Sequence, residues 1–166
     1  MKYSSLIIVF LLSFNLSAQQ HEVKLDVLDL VAFKTLDITY QFNLNEESSV
    51  GISLYTPLSD NEYVFDNDIK ESFRLTPYYR HYFQLGYAGN FFADAFLSIN
   101  SGTLFLQDIS EMKYTDGAFG FNIGKAYISP RGFVLEALVG GGRNLFESEG
   151  SPNFIANFAI NLGYRF

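Results

Sequence analysis

The sequence contains no cysteine, no tryptophan and only two histidines, His21 and His81. The absence of cysteine excludes a disulfide framework and any thiolate metal site. The scarcity of histidine limits both metal binding and histidine-based catalysis, so we expect no metal site and no cofactor. Charged residues make up 17% of the chain, below the roughly 25% of an average domain. The net charge of −7 argues against binding to a nucleic-acid backbone.

Aromatic residues, by contrast, are abundant, with 18 phenylalanines and 11 tyrosines among 166 residues. This chain length predicts a single domain. The mean hydropathy of +0.09 is too low for a bundle of membrane-spanning helices. It suits a strand protein in which only alternate residues meet lipid.

The first 18 residues have the layout of a secretory signal peptide. Lys2 supplies the basic start, an apolar run follows at 6–12, and small and polar residues surround Ala18. A permanent helical anchor is the alternative, but it needs about 20 apolar residues. We therefore predict a signal peptide at 1–18, helical over about 4–16 and removed after Ala18, and a mature barrel domain at 19–166.

The mature chain shows alternating segments and no sustained helical period. Eight segments alternate apolar and polar residues with the period of two that a strand requires. They cover 22–28, 35–44, 48–57, 73–84, 91–105, 116–128, 133–145 and 153–166. The connections near 46, 88 and 131 are short, those near 65, 111 and 149 are longer and polar, and the one near 32 is short and apolar. This pattern predicts an all-β fold, an eight-stranded antiparallel up-and-down transmembrane β-barrel with both ends of the mature chain on the same side.

The last segment is the most regular of the eight. Its apolar face carries Phe154, Ala156, Phe158, Ile160, Leu162, Tyr164 and Phe166. Its other face carries asparagines, small residues and Arg165, with Ile155 as an exception. The last strand of a soluble sandwich is one reading of this pattern. The segment resembles the closing strand of bacterial outer-membrane barrels, and that resemblance implies that Tyr164 and Phe166 are read by the barrel-assembly machinery.

Three stretches resemble the OmpA-type small barrels of Gram-negative outer membranes: RLTPYYRHYF (74–83), GFVLEALVGGG (132–142) and NLGYRF (161–166). The resemblance covers the whole mature chain. It implies a monomeric barrel in the cell outer membrane, with membrane lipid and lipopolysaccharide as its partners. OmpA-type proteins often add a periplasmic peptidoglycan-binding domain, and we do not expect that activity here because the sequence ends with the barrel.

The function of such a barrel depends on which face of each strand points outward. A soluble lipocalin-like barrel is apolar inside, whereas a membrane barrel has the reverse arrangement. An eight-stranded interior is barely wide enough for side chains, so large groups such as Phe119 and Phe121 fit better on the outside. Small residues such as Gly120 and Gly124 then occupy the inner face. We therefore predict a polar lumen that is plugged by side chains and has no wide pore.

The proposed inner face also carries charged residues. Four cations and four anions share it: Lys24, Arg74, Arg80 and Arg165, with Asp26, Asp37, Asp94 and Glu136. A buried charge without a partner costs several kcal/mol, so this set predicts a network of ion pairs inside the barrel. The hairpin near 88 places Arg80 opposite Asp94, within about 6 Å, and Glu136 could complete the group. Solvated charges on the exterior of a soluble barrel are the alternative.

Catalytic and ligand-binding motifs are weak. His21 falls at the start of the mature chain and His81 on the lipid-facing side of the fourth segment, so neither forms a credible Ser-His pair at the outer rim. The acidic stretch 60–71 begins like a calcium loop but lacks its glycine and glutamate. The glycines at 140–142 are not followed by the helix and Lys-Ser/Thr of a phosphate loop.

We therefore predict a non-enzymatic barrel with a structural or surface-interaction role. Two alternatives remain open. One is a barrel that binds or transports a small apolar ligand, and the other is a soluble periplasmic lipocalin-like barrel.

Overall fold

Eight antiparallel strands close into a barrel in the computed structural model, which describes residues 20–58, 69–84, 90–105, 111–146 and 148–166. The strands are β1 (His21–Asp26), β2 (Thr35–Asn43), β3 (Ser48–Pro57), β4 (Ile69–Gln84), β5 (Asn90–Phe105), β6 (Glu111–Ile128), β7 (Phe133–Asn144) and β8 (Phe154–Arg165). Each strand pairs with the next along the chain, and β1 pairs with β8 to complete the ring. The predicted all-β, eight-stranded up-and-down barrel is confirmed.

The predicted signal peptide lies outside the described residues. This applies to its helix at 4–16 and to the domain boundary at 18/19, which therefore stay predictions. Within the described ranges, no helix is long and apolar enough to cross a membrane.

Five strands, β2, β3, β5, β7 and β8, begin and end within one residue of the prediction. The predicted third segment is reproduced as β3. β4 and β6 begin earlier than predicted, at Ile69 and Glu111, so the polar loops expected around 65 and 111 are shorter than we supposed. The added part of β6 exposes Glu111, Lys113 and Thr115 on its outer face, so no apolar alternation marks it as a strand.

Because of a bulge in β4, one more acidic side chain, that of Glu71, points into the lumen. The ladder between β4 and β5 shifts register between Glu71 and Phe73, so Ser72 is an extra residue. In a regular strand Glu71 and Arg74 would lie on opposite faces. With the bulge both point inward, and the Arg74 Nε atom lies 3.4 Å from the Glu71 carboxylate.

The chain leaves β1 earlier than predicted and forms a helix. The first segment was predicted over 22–28, but β1 ends at Asp26 and a short helix, α1, covers Val27–Ala32. The Asp26 carboxylate caps α1 by accepting hydrogen bonds from the backbone N–H groups of Leu28 and Asp29, at 2.8 and 3.3 Å. This helix agrees with the lack of a sustained helical period in the sequence, because six residues make fewer than two turns.

The two ends of the barrel differ in their connections. The turn end holds Phe166 and the tight connections 44–47 and 129–132. In the second of these, Gly132 has a φ of 90°, and its N–H donates to the Ser129 carbonyl at 3.0 Å. The loop end holds α1 and the connection between β7 and β8.

At the loop end, α1 stands where the wall of the barrel lacks a strand. β1 pairs with β8 only as far as Asp26 and Asn161, so the remaining part of β8, residues 154–160, has no strand on this side within the described structure. α1 packs against both β8 and β2 across the gap. The Asp26 carboxylate also accepts the N–H of Ile160 at 3.2 Å. We call this gap, bounded by α1 and residues 154–160, the side notch.

Side-chain exposure shows which face of the wall points outward. On β5, Leu97 is 57% exposed and its neighbour Ser98 is 3% exposed. The outer surface carries large apolar side chains, among them Ile38, Tyr40, Ile52, Leu54, Phe119, Phe121, Ile123, Leu135, Phe158 and Leu162. The buried interior is mostly polar, with Glu22, Lys24, Gln41, Ser49, Arg80, Asp94, Asn100 and Glu136. The predicted sidedness is confirmed, and it is the reverse of a lipocalin-like barrel.

Aromatic rings fill the lumen where the facing wall is glycine. A Cβ on Gly120 would overlap the Phe96 ring, and a Cβ on Gly124 would overlap the Phe92 ring. The glycines of β6 therefore make room for two large side chains in a narrow barrel. Phe92 also packs with Tyr82 in a small apolar cluster.

Candidate functional site

Arg80 of β4 is the centre of the charge network in the lumen. Its side chain is 1% exposed, and its Nε and Nη2 atoms donate to the two Asp94 carboxylate oxygens at 2.7 and 3.0 Å. Arg80 and Asp94 are directly opposite in the β4–β5 ladder, which permits this two-pronged contact. Glu136 of β7 accepts from the Nη1 and Nη2 atoms of Arg80. The predicted Arg80–Asp94 contact is thus present, and Glu136 completes the group.

Lys24 of β1 extends the network beyond Glu136. Its ammonium donates to the Glu136 carboxylate and to the Gln41 side-chain carbonyl, both at 2.9 Å. It also lies 3.9 Å from the Glu22 carboxylate. Glu22 in turn accepts a hydrogen bond from the Nε atom of Arg165 at 2.8 Å.

These groups form one chain of alternating charge across the lumen, which we call the ion chain. In order, its members are Arg165, Glu22, Lys24, Glu136, Arg80 and Asp94. Three positive and three negative side chains leave no net formal charge, which limits the cost of burying them. Glu22 is not among the predicted residues, although it lies two residues before Lys24 and therefore on the same face of β1.

Aromatic side chains pack around the ion chain. The Arg80 guanidinium carbon lies 3.5 Å from the centre of the Phe92 ring and 5.2 Å from that of Tyr78. The Tyr78 hydroxyl donates to Gln41 at 2.9 Å, and the Gln41 amide donates to the Tyr82 hydroxyl at 3.0 Å. These contacts join side chains of β2, β4 and β5 at the level of the ion chain.

Three predicted members of the network lie apart from the ion chain, nearer the loop end. Arg74 contacts Glu71 and donates to the Asn157 side chain at 2.9 Å. Asp37 accepts a hydrogen bond from the Ser53 hydroxyl at 2.5 Å. Asp26 is the helix cap described above.

The eight predicted residues accordingly fall into two groups. Five belong to the ion chain, namely Lys24, Arg80, Asp94, Glu136 and Arg165, and three lie outside it, namely Asp26, Asp37 and Arg74. The predicted count of four anions is too low, because Glu22 and Glu71 also face the lumen.

A cavity of about 90 Å³ lies between the ion chain and the side notch. We call it the acidic chamber. Its wall includes Asp29 of α1, Asp37 of β2, Tyr55 of β3, Arg74 of β4 and Asn157 of β8. In the part of the chain that the structure describes, no three carboxylates or imidazoles are grouped closely enough to hold a metal ion.

Two groups in the wall of the acidic chamber have unusual surroundings. Tyr55 is 2% exposed, and its buried hydroxyl lies beside the Thr35 side chain. Burial, together with the carboxylates of Asp26 and Asp37, raises the pKa of Asp29 to about 7, although Arg74 acts in the opposite direction. Asp29 is not among the predicted site residues, because it falls in the short apolar connection near 32, which carries no recognisable motif.

Asp116 of β6 anchors the connection between β7 and β8 at the loop end. Its carboxylate accepts hydrogen bonds from the backbone N–H groups of Gly117, Phe146 and Ser148, at 2.7, 3.0 and 3.1 Å. The Ser148 hydroxyl adds a bond to the Thr115 carbonyl at 2.9 Å. Sequence spacing carries no signal for this role, since the partners are about 30 residues away.

Both histidines are held by aromatic contacts. The His21 ring stacks on Phe166 with centres 5.9 Å apart, and its Nδ1 atom lies 2.7 Å from the Tyr40 hydroxyl. His81 meets a neighbouring phenylalanine ring edge-on at 4.9 Å. Phe166 and His21 also exchange two backbone hydrogen bonds, which close the ring at the turn end. The recognition of Tyr164 and Phe166 by the barrel-assembly machinery stays a prediction.

Two solved structures share this fold. The N-terminal β-barrel domain of Pseudomonas aeruginosa OprF has a TM-score of 0.62 at 13% identity, and the match covers 90% of this chain and 100% of that chain. Neisserial surface protein A (NspA) has a TM-score of 0.58 at 14% identity, and the match covers 88% of this chain and 94% of that chain. The predicted resemblance to small eight-stranded outer-membrane barrels is thereby confirmed at the level of the fold.

A family model described as "Protein of unknown function (DUF3575)" matches residues 4–150. No curated protein sequence matches the chain.

Proposed function

Because the chain belongs to the DUF3575 family of proteins of unknown function, we propose a role from the geometry of the barrel itself. We propose an outer-membrane barrel with a structural or surface-interaction role and no wide pore, and not an enzyme. The observation that carries this proposal is the ion chain, in which six charged side chains interlock across the lumen with rings packed against them. Solutes could pass only if these bonds were broken.

The outer surface supports a location in a membrane. β7 and β8 are each 12 residues long, and a tilted strand needs about 9–11 residues to cross the hydrocarbon layer. Their outer faces carry exposed large apolar groups, including Leu135, Phe158 and Leu162. A continuous apolar belt of this kind is stable in lipid and promotes aggregation in water.

The loop end supports a role at the cell surface. β4, β5 and β6 are 16, 16 and 18 residues long, which is more than a membrane requires. The outer face of β6 is polar beyond the belt, with Glu111, Lys113 and Thr115 exposed. In the proposed orientation this rim contacts lipopolysaccharide, whereas Tyr164 and Phe166 face the periplasm, where the assembly machinery would bind a monomeric barrel.

A barrel that carries apolar ligands is supported less well. The cavity in the lumen has a volume of about 90 Å³, and sites for drug-sized ligands measure roughly 300–1,000 Å³. Its wall includes Asp29, Asp37 and Arg74, whose burial against an apolar molecule would be unfavourable.

Membrane fractionation and conductance recordings test the proposal. The protein is expected in the outer-membrane fraction, and unboiled samples should migrate as a compact form on a gel. Planar bilayers containing the purified barrel should show no large, steady conductance. A large steady conductance would contradict the plugged lumen, and recovery from the soluble periplasm would contradict the location in the outer membrane.

The cellular role needs a separate measurement. Cells that lack the protein are expected to become more sensitive to detergent, with unchanged uptake of small solutes. Reduced solute uptake in cells with an intact envelope would argue for transport instead.

A further inference from the structure

The outer wall of the barrel has a hollow toward the turn end, which we call the outer groove. It has a volume of about 620 Å³ and lies across β4, β5, β6 and β7. Sites that hold small ligands measure roughly 300–1,000 Å³, so the outer groove is large enough for part of a lipid. Its lining includes six exposed side chains, namely Phe83, Phe91, Ile123, Lys125, Ala137 and Val139.

The pairing of the strands accounts for the shape of the outer groove. One row across the wall, in which each residue is directly opposite the next, consists of Phe83, Phe91, Lys125 and Ala137. In the next row toward the loop end, Ile123 is opposite Val139. Ala137 has the smallest side chain of these six, so the wall is lower at this position than around it. An alkyl chain in such a depression makes contacts that a flat wall does not offer.

Lys125 is the charged residue of the outer groove. Its ammonium lies 5.0 Å from the centre of the Phe91 ring, and it forms no ion pair with any carboxylate in the described ranges. Its direct neighbours in the two ladders, Phe91 and Ala137, are both apolar. A cation that lies among apolar groups without an anion of its own chain attracts an anion from outside the protein.

The position of Lys125 along β6 indicates the source of this anion. Only residues 126–128 separate Lys125 from the tight connection 129–132 at the turn end. In the proposed orientation the turn end faces the periplasm, so a lysine here can extend its ammonium to the membrane interface while its alkyl stem stays in the hydrocarbon. The exposed cations Lys113 and Arg143 lie nearer the loop end. The anions that a membrane supplies at its interface are the head groups of acidic lipids.

From these observations we propose that the outer groove binds one anionic phospholipid of the periplasmic leaflet. The lipid phosphate pairs with the Lys125 ammonium, and an acyl chain lies over Ala137 between the larger apolar side chains. A lipid provides both the anion and the alkyl chain that the outer groove fits, whereas a soluble anion provides only the first. The inference rests on the proposed location in the outer membrane and adds a defined lipid site to it.

Tryptophan fluorescence in lipid vesicles tests the proposal, because the native sequence has no tryptophan. Tyr127→Trp places a reporter two residues from Lys125 on the same face of β6, and Leu97→Trp places one on the outer face of β5, outside the outer groove. The vesicles mix anionic phosphatidylglycerol with zwitterionic phosphatidylcholine, and one of the two lipids carries bromine on its acyl chains to quench a nearby tryptophan. Quenching at position 127 should show a preference of about fivefold for phosphatidylglycerol. Quenching at position 97 should show no preference.

The two reporters separate failure of the lipid site from failure of the membrane location. If both lipids quench position 127 equally, or if the same preference appears at position 97, the wall lies in lipid and the proposed site is wrong. If position 97 is quenched and position 127 is shielded from both lipids, a second copy of the chain covers the outer groove, and the site is again wrong. If neither lipid quenches either reporter in a barrel that migrates as the compact form, the membrane location fails together with the site.

Substitutions test the two parts of the outer groove in the Tyr127→Trp background. Lys125→Met removes the charge and keeps an apolar chain of similar length, so the preference for phosphatidylglycerol should be lost. Lys113→Met, on the same face of β6 nearer the loop end, is the matched control and should keep the preference. Ala137→Phe fills the outer groove beside Lys125 and should weaken the preference, whereas Ala156→Phe adds the same ring to the outer face of β8 and should not.

Unboiled gel samples show that each variant is folded. A full preference in folded Lys125→Met protein would overturn the proposal, and so would equal effects of the two alanine substitutions. Glycerol phosphate, which has the phosphate without the acyl chains, should leave the preference unchanged when added to the vesicles. Loss of the preference on its addition would assign Lys125 to soluble anions and would contradict the lipid site.

Discussion

Lys24 and Glu136 lie 112 residues apart in the chain, and the Lys24 ammonium donates to the Glu136 carboxylate at 2.9 Å. They belong to β1 and β7, which flank β8 on either side. This contact therefore forms only when β8 has paired with both neighbours and the ring is closed. Formation of the ion chain and closure of the barrel are thus coupled.

Glu136→Gln is expected to destabilise the barrel by about 3–5 kcal/mol, because Lys24 and Arg80 both lose a buried charge partner. Urea unfolding of the protein in lipid vesicles measures this loss. Glu149→Gln, which removes an exposed charge at the loop end, is the matched control and should change stability by less than about 0.5 kcal/mol. Equal effects of the two substitutions would show that the ion chain contributes nothing specific.

A methyl group at Gly120 is expected to interfere with closure of β6 against β7. Its Cβ would overlap the Gly141 carbonyl oxygen and the Phe96 ring, and the backbone has little freedom to move away. Gly120→Ala should therefore lower the yield of the compact form seen in unboiled gel samples. At Gly117 the nearest group is the exposed ring of Phe146, which can move, so Gly117→Ala should fold normally. The explanation fails if both variants fold equally well.

The raised pKa of Asp29 makes part of the stability depend on pH. An aspartate ionises near 3.9 in an unfolded chain, and Asp29 ionises near 7 in the barrel, so the folded state binds more protons between these values. Stability should therefore fall as the pH rises from about 4 to about 7. Asp29→Asn should remove this part of the slope and should be more stable than the wild type at about pH 8. Urea unfolding at several pH values tests both points, and an unchanged slope in the variant would refute them.

Asp116→Asn is expected to release the connection between β7 and β8. A single amide oxygen cannot replace the carboxylate that accepts the N–H groups of Phe146 and Ser148 on separate oxygens. Hydrogen bonds to charged groups contribute about 1.5–3 kcal/mol each, so the connection should open more often. A glutamate-specific protease added outside vesicles should cut more rapidly at Glu149. Glu111→Gln, on the exposed outer face of the same strand, is the control, and equal cleavage rates would contradict the anchoring role.

The parts of the fold that depend on spacing within one strand or hairpin could be predicted from the sequence. The alternation in β8 separates Phe158 and Leu162 from Asn161, and the structure places them on opposite faces as expected. The register of Arg80 and Asp94 follows from the position that the sequence predicts for the hairpin near 88.

Local irregularities and distant contacts could not be predicted in this way. The bulge at Ser72 reverses the face on which Glu71 lies. The alternation of apolar and polar residues in β4 does not indicate this bulge. α1 ends β1 after Asp26, which opens the side notch and brings Asp29 to the acidic chamber. Both features involve only a few residues, too few for a change of period to be visible in the sequence.

The sidedness of the wall is the central claim, and the absence of cysteine allows a direct test of it. Leu97→Cys and Ser98→Cys place single thiols at neighbouring positions of β5 that are 57% and 3% exposed in the native protein. In vesicles of brominated lipid, a fluorophore attached at position 97 should be quenched, and the thiol at position 98 should react only after the barrel is unfolded. Rapid labelling of position 98 in the folded barrel, with an unquenched fluorophore at position 97, would contradict the account.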